Sequence, residues 1–488
     1  MVVLGTDVET GQQVLLEPLA RRQGVYIIGT TGTGKTTLLK TIAYQDMQAG
    51  EGLCVLDPHG DMIDELLGIV PANREKDVIL FAPGDADQAE QPLGLNLLDC
   101  DRSDPRQVRR VTSTVIDTLR KLFFYFWGPR MEDLLRVSIL TLMEKPDTTL
   151  LDLWLLLASP NHRRWYTADL KDPYLQQFWG VQFAGYSKRE VVEVVGSSLN
   201  KIGRFLADPQ MRHIVAQPKN AFSLREMMDG GKILLVNLSK GDLGEDNSAL
   251  LGAVLVNLVL IAALTRRNVP PDKRRQFHLI VDEYQSFATE SFPTLQSEAR
   301  KYAIDVIVAH QYRDQLDDLN KGSTLNVANF IVLRTSGIDS FSLASQFDNT
   351  PPSPETKMQP LYRQIRVDGE VPIYAEVTSP TGTGRQFQEV ELPQRLYSDV
   401  QAERANQLAG LDDLTAQCRL SERGKLREYA IEIPILRQQG DATRAQNIRR
   451  QSLRYGVLKK RVEALIEQRI GEGLTFDDVR TVVEESED

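Results

Sequence analysis

Eight residues near the N-terminus, Gly29-Thr-Thr-Gly-Thr-Gly34-Lys35-Thr36, match the spacing G-x-x-x-x-G-K-[ST] of a phosphate-binding loop. Glycine lets backbone N–H groups curve around phosphates without Cβ clashes, and the N-terminus of a following helix adds partial positive charge. Lys35 would reach the β- and γ-phosphates of a nucleotide, and the Thr36 hydroxyl would bind Mg²⁺. The predicted nucleotide-binding residues are Gly29, Thr30, Thr31, Gly32, Thr33, Gly34, Lys35, Thr36 and Thr37.

Two adjacent carboxylates follow an apolar stretch later in the chain, in Phe277-His-Leu-Ile-Val281-Asp282-Glu283. A strand would deliver both acids at its carboxyl end, the edge at which open α/β sheets bind ligands. Asp282 is predicted to hold Mg²⁺, directly or through water, and Glu283 to polarise the attacking water. This pair indicates an ATPase that activates water. The sequence contains neither an Asn-Lys-x-Asp motif for reading guanine nor an LSGGQ-like transporter signature.

Four further polar residues are candidates because each lies beside a predicted strand or helix end. Gln311 follows a strand and could orient water between the carboxylates and the γ-phosphate. Arg300 and Arg334 could each stabilise charge on the γ-phosphate of a neighbouring subunit, and placement favours Arg300. Asp57, in the turn Asp-Pro-His-Gly-Asp, is either a site residue or part of a purely structural turn.

Short apolar stretches rich in Val, Ile and Leu would position these residues. They do not alternate strictly, and polar, glycine or proline residues bound them, as expected of strands buried on both faces of a parallel sheet. Such strands are predicted at 25–29, 53–56, 78–81, 233–238, 277–281, 304–309 and 330–333. Because helical segments lie between many of them, the predicted fold is a doubly wound α/β domain.

The alternation of strand and helix breaks in two places. Residues 104–230 carry helix signals and no convincing strand, which predicts an all-α insertion whose aromatic residues form its core. After about Leu392 the strand pattern stops, and a basic helical stretch precedes an acidic tail at 471–488. The predicted domains are an ATPase domain in two parts, 1–103 and 231–392, the insertion at 104–230, and a helical C-terminal extension at 393–488.

Composition limits the class of protein and its location. With 57 Lys+Arg and 67 Asp+Glu the formal net charge is -10, which argues against a uniformly basic surface but allows a local basic channel. Cys54, Cys100 and Cys418 are too far apart for a disulfide framework or a Cys-rich zinc module and suit a reducing cytosol. The apolar stretch 249–264 is shorter than the ~20 residues of a membrane span. It predicts a buried core helix, and no membrane span is expected in this chain.

Several of these segments together resemble the conjugative DNA-transfer coupling ATPases of the TraG/TraD type, within the HerA/FtsK superfamily of DNA pumps. The phosphate-binding motif alone is not specific, whereas the DPHGD, NLSKG and AHQ segments in this order are much more so. The resemblance covers about residues 20–390. The segments that carry it are IIGTTGTGKTTLLK (27–40), VLDPHGDMIDELL (55–67), ILLVNLSKGDLGEDNSALLG (233–252), HLIVDEYQSF (278–287) and EARKYAIDVIVAHQYRDQL (298–316).

The resemblance implies a RecA-like motor fold with a mostly helical inserted domain. It implies a homo-oligomeric, hexameric ring that hydrolyses ATP and moves DNA through a central channel regardless of base sequence. It places an arginine finger at Arg300, acting on a neighbour's ATP. It implies relaxase or secretion-channel partners, which family members often recruit through acidic C-terminal tails. Membrane-bound members begin with transmembrane helices, whereas this chain starts almost at its motor, so the expectation is a cytoplasmic or membrane-peripheral protein.

One alternative belongs to a different class of function but has the same ATP chemistry. It is an ATP-switched assembly or docking protein that handles protein cargo and never threads DNA. A basic and polar patch facing a ring channel would favour DNA, and a channel without that patch would favour the alternative. The candidates for the patch are Lys188, Arg189, Lys201 and Arg204 in the insertion, and Lys240 after the strand at 233–238.

Overall fold

The computed structural model describes residues 1–123, 127–351, 356–360, 362–368, 371–376, 387–391 and 396–471. The chain divides into two compact units: Met1–Leu333 with the chain from Asp413 onward, and Arg334–Asp412. The predicted acidic tail beyond Gly471 lies outside the described residues. The four-part division of the chain at residues 103, 230 and 392 stays a prediction.

Strands occur in both units. In chain order they are β1 Val2–Asp7, β2 Gln13–Leu16, β3 Val25–Ile28, β4 Gly52–Asp57, β5 Val78–Phe81, β6 Ile233–Asn237, β7 Phe277–Val281, β8 Ile304–His310, β9 Asn329–Val332, β10 Thr356–Pro360, β11 Tyr362–Asp368, β12 Val371–Glu376, β13 Phe387–Glu391, β14 Thr415–Glu422 and β15 Lys425–Glu432. Within the second unit, β10 pairs with β13 and β11 with β12, both antiparallel.

The helices surround these strands. They are α1 Pro18–Arg21, α2 Lys35–Gln48, α3 Asp61–Ile69, α4 Ala86–Glu90, α5 Pro105–Leu122, α6 Pro129–Met143, α7 Leu150–Ala158, α8 Pro160–Thr167, α9 Pro173–Gln177, α10 Lys188–Ala207, α11 Pro209–Val215, α12 Leu224–Gly230, α13 Lys240–Leu243, α14 Glu245–Thr265, α15 Phe292–Glu298, α16 Asp318–Thr324, α17 Gly337–Ala344, α18 Tyr397–Ala409, α19 Ala442–Ser452 and α20 Lys459–Gly471. The described residues between β5 and β6 are helical and contain no strand.

One eleven-stranded sheet forms the centre of the first unit, in the order β2-β1-β15-β14-β9-β3-β8-β7-β4-β6-β5. The seven strands from β9 to β5 are parallel, and they are the seven predicted from the sequence. Strand β3 is buried along its whole length, as its unbroken apolar sequence predicts. Helices α2 and α3 cover the same core, contributing Leu38, Leu39 and Ile63 among others.

Four strands were not predicted, and they extend the parallel sheet with an antiparallel edge. The pairs β1–β2 and β14–β15 join through β1–β15, and β14 pairs with β9. Strands β14 and β15 therefore lie inside the stretch predicted to be helical. In β14, Ala416, Cys418 and Leu420 are buried on one face while charged residues cover the other. The sequence analysis missed this alternation because it followed the excess of basic residues.

Helix α14 carries the longest apolar stretch of the chain. With the turn that follows it, Glu245–Asn268 is the one helix in the described part of the chain that is long and apolar enough to cross a membrane. Within its most apolar window, 78% of the helix is buried inside the protein. That burial is what a core helix has, as the sequence predicts for 249–264.

A buried ion cluster joins elements at the amino-terminal edge of the sheet. Arg21, between α1 and β3, contacts Asp46 of α2 at 2.6 Å and Asp305 of β8 at 3.0 Å. His278 of β7 lies 2.7 Å from the second oxygen of Asp305. Burial raises the pKa of Asp305, but Arg21 and His278 outweigh it and hold that pKa below its ordinary value. The cluster is therefore charged at neutral pH.

Replacing Arg21 with Met is expected to destabilise the protein by about 3–5 kcal/mol, because two buried carboxylates lose their guanidinium. Arg22→Met is the matched control, since the half-buried Arg22 hydrogen-bonds the neutral Gln276 side chain at 2.6 Å. Its cost should be about 1 kcal/mol. Urea unfolding measures both. Equal unfolding midpoints for the two variants would contradict the role of the cluster.

Candidate nucleotide and metal site

The glycine-rich loop 29–34 connects the buried end of β3 to the first turn of α2. Gly32 and Gly34 have φ values of +82° and +113°, which favour glycine. A Cβ on Gly34 would lie 2.8 Å from the Leu414 side chain. The Thr33 carbonyl accepts a hydrogen bond of 2.9 Å from the Leu414 N–H, just before β14. The antiparallel extension of the sheet thus supports the loop, which the sequence did not reveal.

Lys35 is buried at the start of α2, with its Nζ turned onto the loop. The ammonium donates to the carbonyls of Gly29 at 2.8 Å and Thr30 at 3.1 Å. Burial lowers the pKa of Lys35 below its ordinary value, and the charges of Glu283 and Asp282 oppose that shift. The side chain is long and its partners are loop carbonyls, so it can turn to phosphate oxygens without leaving the site.

Asp282 follows β7 and faces the first turn of α2. Its Oδ2 accepts a hydrogen bond of 3.2 Å from the Thr36 hydroxyl. Burial and the nearby carboxylates of Glu283 and Asp57 raise the pKa of Asp282 to about 6. Such concentrated negative charge beside a hydroxyl fits a hard divalent cation. Among the described residues no three His, Cys, Asp or Glu side chains form a metal cage, and Mg²⁺ commonly takes one or two protein oxygens plus phosphates and water.

Glu283 lies beside Asp282 with a left-handed backbone, φ +44° and ψ +51°. Its Oε1 accepts from the amide of Gln311 at 3.0 Å, and its Oε2 from the amide of Gln285 at 2.5 Å. The carbonyl oxygen of the Gln311 amide accepts from the Thr31 hydroxyl at 3.0 Å. The predicted pair Glu283 and Gln311 thus meets at one edge of the sheet, and Gln311 bridges the carboxylate to the loop. Sequence reasoning missed Gln285, since no motif marks it.

Arg300 lies at the other edge of the sheet. It is exposed in a 3₁₀ turn, Ala299–Tyr302, that precedes β8, whereas Gln311 follows β8. The seven residues of β8 span roughly 23 Å at about 3.3 Å per residue, so Arg300 cannot reach the loop of its own chain. The turn is well anchored, because buried Arg266 donates to the Tyr302 carbonyl at 2.9 Å. Any contact of Arg300 with a γ-phosphate must therefore be made in another subunit.

The two alternatives that the sequence left open have different surroundings. Asp57 ends β4 and accepts from the backbone N–H groups of His59 at 2.8 Å and Met62 at 3.0 Å, which makes it the cap of α3. It also lies near enough to Asp282 to raise that residue's pKa. Arg334 begins the second compact unit, where its guanidinium donates to the Leu411 carbonyl at 3.2 Å.

The five basic residues predicted to line a channel divide into two sets. Arg204 forms an ion pair with Asp246, Lys201 donates to the Ser197 hydroxyl, and Lys240 donates to the Ser286 hydroxyl. Lys188 and Arg189 are exposed at the start of α10. The exposed pair is therefore the better placed of the two sets to meet a polyanion.

A parallel sheet with a glycine-rich loop after β3, adjacent acids after β7 and a polar residue after the intervening β8 defines the P-loop class, in its RecA-like form. The sequence profile of the type IV secretion-system coupling protein DNA-binding domain matches residues 12–321. The match covers more than half of the chain, so the chain belongs to this family of coupling proteins. This confirms the resemblance to the TraG/TraD type. No curated protein sequence matches the chain.

Solved structures of coupling proteins and of a related ATPase share the fold. The unbound bacterial conjugative coupling protein TrwBdeltaN70 is 17% identical, with 90% of each chain covered and a TM-score of 0.58. Plasmid coupling protein TrwB in complex with the ATP analogue ADPNP is 17% identical, with 91% of each chain covered and a TM-score of 0.58. VirB4 of Thermoanaerobacter pseudethanolicus is 12% identical, covering 89% of this chain and 96% of its own, with a TM-score of 0.55.

Proposed function

We propose that the chain is an ATP-hydrolysing, ring-forming DNA translocase that acts as the coupling motor of conjugative, type IV secretion DNA transfer. The observation that carries the proposal is the meeting of Lys35, Thr36, Asp282, Glu283 and Gln311 at one edge of the sheet. Membership of the coupling-protein family supports the cargo, DNA. Structures of TrwB with ADP and Mg²⁺ and with ADPNP support ATP and Mg²⁺ as ligands of this chain.

In this proposal each group at the sheet edge has one task. Lys35 and the N–H groups of the loop bind the β- and γ-phosphates. Thr36 and Asp282 hold Mg²⁺, which neutralises charge on the phosphates when bound. Glu283 accepts a proton from the attacking water, and Gln311 orients that water. Arg300 completes the site of the neighbouring subunit, so the active form is a homo-oligomeric ring, in our proposal a hexamer.

The proposed path for DNA uses the helical insertion at 104–230. Lys188 and Arg189 are its exposed cations at the start of α10, and a local basic patch can act although the net charge is -10. Contacts to the phosphate backbone carry no base-sequence information, so binding is independent of sequence. The proposed location is the cytoplasm, at the inner face of the membrane, with relaxase and secretion-channel proteins as partners.

The affinity for DNA is expected to fall steeply with salt, because phosphate contacts release counterions. The log–log slope should be about -0.9 per phosphate contacted on duplex DNA and about -0.7 on a single strand. In the double variant Lys188→Ala/Arg189→Ala the slope should become shallower by about that amount for each phosphate that the variant no longer neutralises. Fluorescence anisotropy with labelled oligonucleotides of both kinds, with ATP present, measures the slopes.

The matched control is Arg164→Ala/Lys171→Ala, which removes two other exposed cations of the insertion. It should leave the slope unchanged. Binding that is insensitive to salt, or absent at low salt with ATP present, would contradict the DNA proposal. That result would favour the alternative, an ATP-switched docking protein for protein cargo.

A further inference from the structure

The segment that follows Glu283 is attached to the helical insertion. At the C-terminal end of α5, the ammonium of Lys121 donates to the Gln285 carbonyl at 2.9 Å. The preceding residue, Arg120, forms an ion pair with Glu290. Neither contact is local, since 164 and 170 residues separate the partners along the chain. Helix α5 therefore holds both ends of the six-residue stretch 285–290.

Lys121 is a strong anchor for this segment because of where it lies. Burial lowers the pKa of Lys121, with the charge of Asp317 opposing the shift. A desolvated ammonium gains much from its hydrogen bond to a carbonyl, since water cannot replace that partner. Movement of α5 should therefore displace Gln285 with it.

The Gln285 side chain in turn holds Glu283. Its amide N–H donates to Oε2 of Glu283 at 2.5 Å, while the amide of Gln311 occupies Oε1 at 3.0 Å. Among the described residues, nothing hydrogen-bonds the buried amide oxygen of Gln285. A general base must offer an oxygen to the proton it abstracts. In this arrangement both oxygens of Glu283 are engaged by amides, and one of those amides has an acceptor left over beside the site.

We propose that Gln285 is a positioning residue that restrains Glu283 until the insertion moves. In the DNA-free protein it holds Oε2 of Glu283 away from the attacking water. When DNA shifts the insertion, Lys121 draws Gln285 aside, and Oε2 becomes free to accept the proton. This inference rests on the proposed function and adds the route by which cargo on the insertion controls hydrolysis.

The test compares ATP turnover of wild type, Gln285→Ala and Lys121→Met, each with and without DNA. Gln285→Ala should raise the DNA-free kcat by about 10-fold or more, the scale of one hydrogen bond to a charged group. Its KM for ATP should not change, because Lys35 and the loop are intact. Its kcat with saturating DNA should stay near that of wild type, so the stimulation ratio falls. Lys121→Met should change the ratio in the same direction, and Lys121→Arg, which keeps a donor, should restore it.

Gln177→Ala and Lys171→Met, at exposed positions of the insertion, are the matched controls and should leave every rate unchanged. If Gln285→Ala lowers kcat equally with and without DNA, Gln285 supports Glu283 and does not restrain it, which overturns the inference. A raised rate in Gln285→Ala with no change in Lys121→Met would overturn the link to α5. If DNA does not stimulate wild type, the proposed DNA function fails, while the DNA-free kcat of Gln285→Ala still decides the restraint.

Discussion

Arg300→Ala is expected to bind ATP nearly as wild type does and to lose turnover by roughly 10³ or more, the scale of a lost arginine finger. Binding survives because Lys35 and the loop amides are unchanged. Turnover falls because the exposed guanidinium, which lies at the edge of the sheet opposite its own loop, is available only to a neighbour. For the same reason, wild-type activity per subunit should rise with protein concentration as rings assemble. Steady-state ATPase assays and binding of a fluorescent ATP analogue measure both effects.

Mixing Arg300→Ala with Lys35→Ala separates action between subunits from a structural role. Each variant alone is inactive, but an Arg300→Ala subunit keeps a working loop and a Lys35→Ala neighbour supplies the arginine. Activity should therefore partly return in mixed rings. Lys301→Ala, at the adjacent exposed position, should be active alone. If mixtures stay inactive although mixed rings form, Arg300 is not the finger, and Arg334 is the next residue to mix in the same way.

Glu283→Gln is expected to retain ATP and to lose turnover by about 10²–10⁴, typical of removing a general base. The phosphate and Mg²⁺ contacts remain, since Lys35, Thr36 and Asp282 are unchanged, so the variant should trap ATP. Single-turnover assays with filter binding measure the trapped nucleotide. The control is Glu65→Gln, an exposed acid paired with Lys40 on the surface of α3 and α2. Equal turnover in Glu283→Gln and wild type would remove the role assigned to Glu283.

Trapping by Glu283→Gln also bears on Gln285. A neutral amide at position 283 accepts hydrogen bonds more weakly than a carboxylate, so the contact of 2.5 Å from Gln285 should loosen. Adding Gln285→Ala to Glu283→Gln should then change turnover very little, although the same change in wild type raises it. The double-mutant comparison isolates the coupling between the two side chains.

The sequence by itself determined the parallel sheet, the loop and the paired acids. These features depend on local patterns: apolar stretches such as Val25–Ile28 are buried on both faces, and the spacing of Gly29 and Gly34 suits one loop geometry. Gln311 could be predicted for a similar reason, because the carboxyl ends of parallel strands meet at one edge. The order of the motifs along the chain was enough to recognise the coupling-protein family, which the family profile confirms.

Only the tertiary structure decided which distant side chains meet. Thr31 and Gln311 are 280 residues apart in sequence, and Lys121 and Gln285 are 164 apart. Periodicity shows which face of an element is buried but not which neighbour covers it. Strands β14 and β15 were missed for the same reason: their apolar positions alternate with charged ones, and pairing with β9 and β1 shows what buries them. Leu414 supports the phosphate-binding loop only because that pairing brings it there.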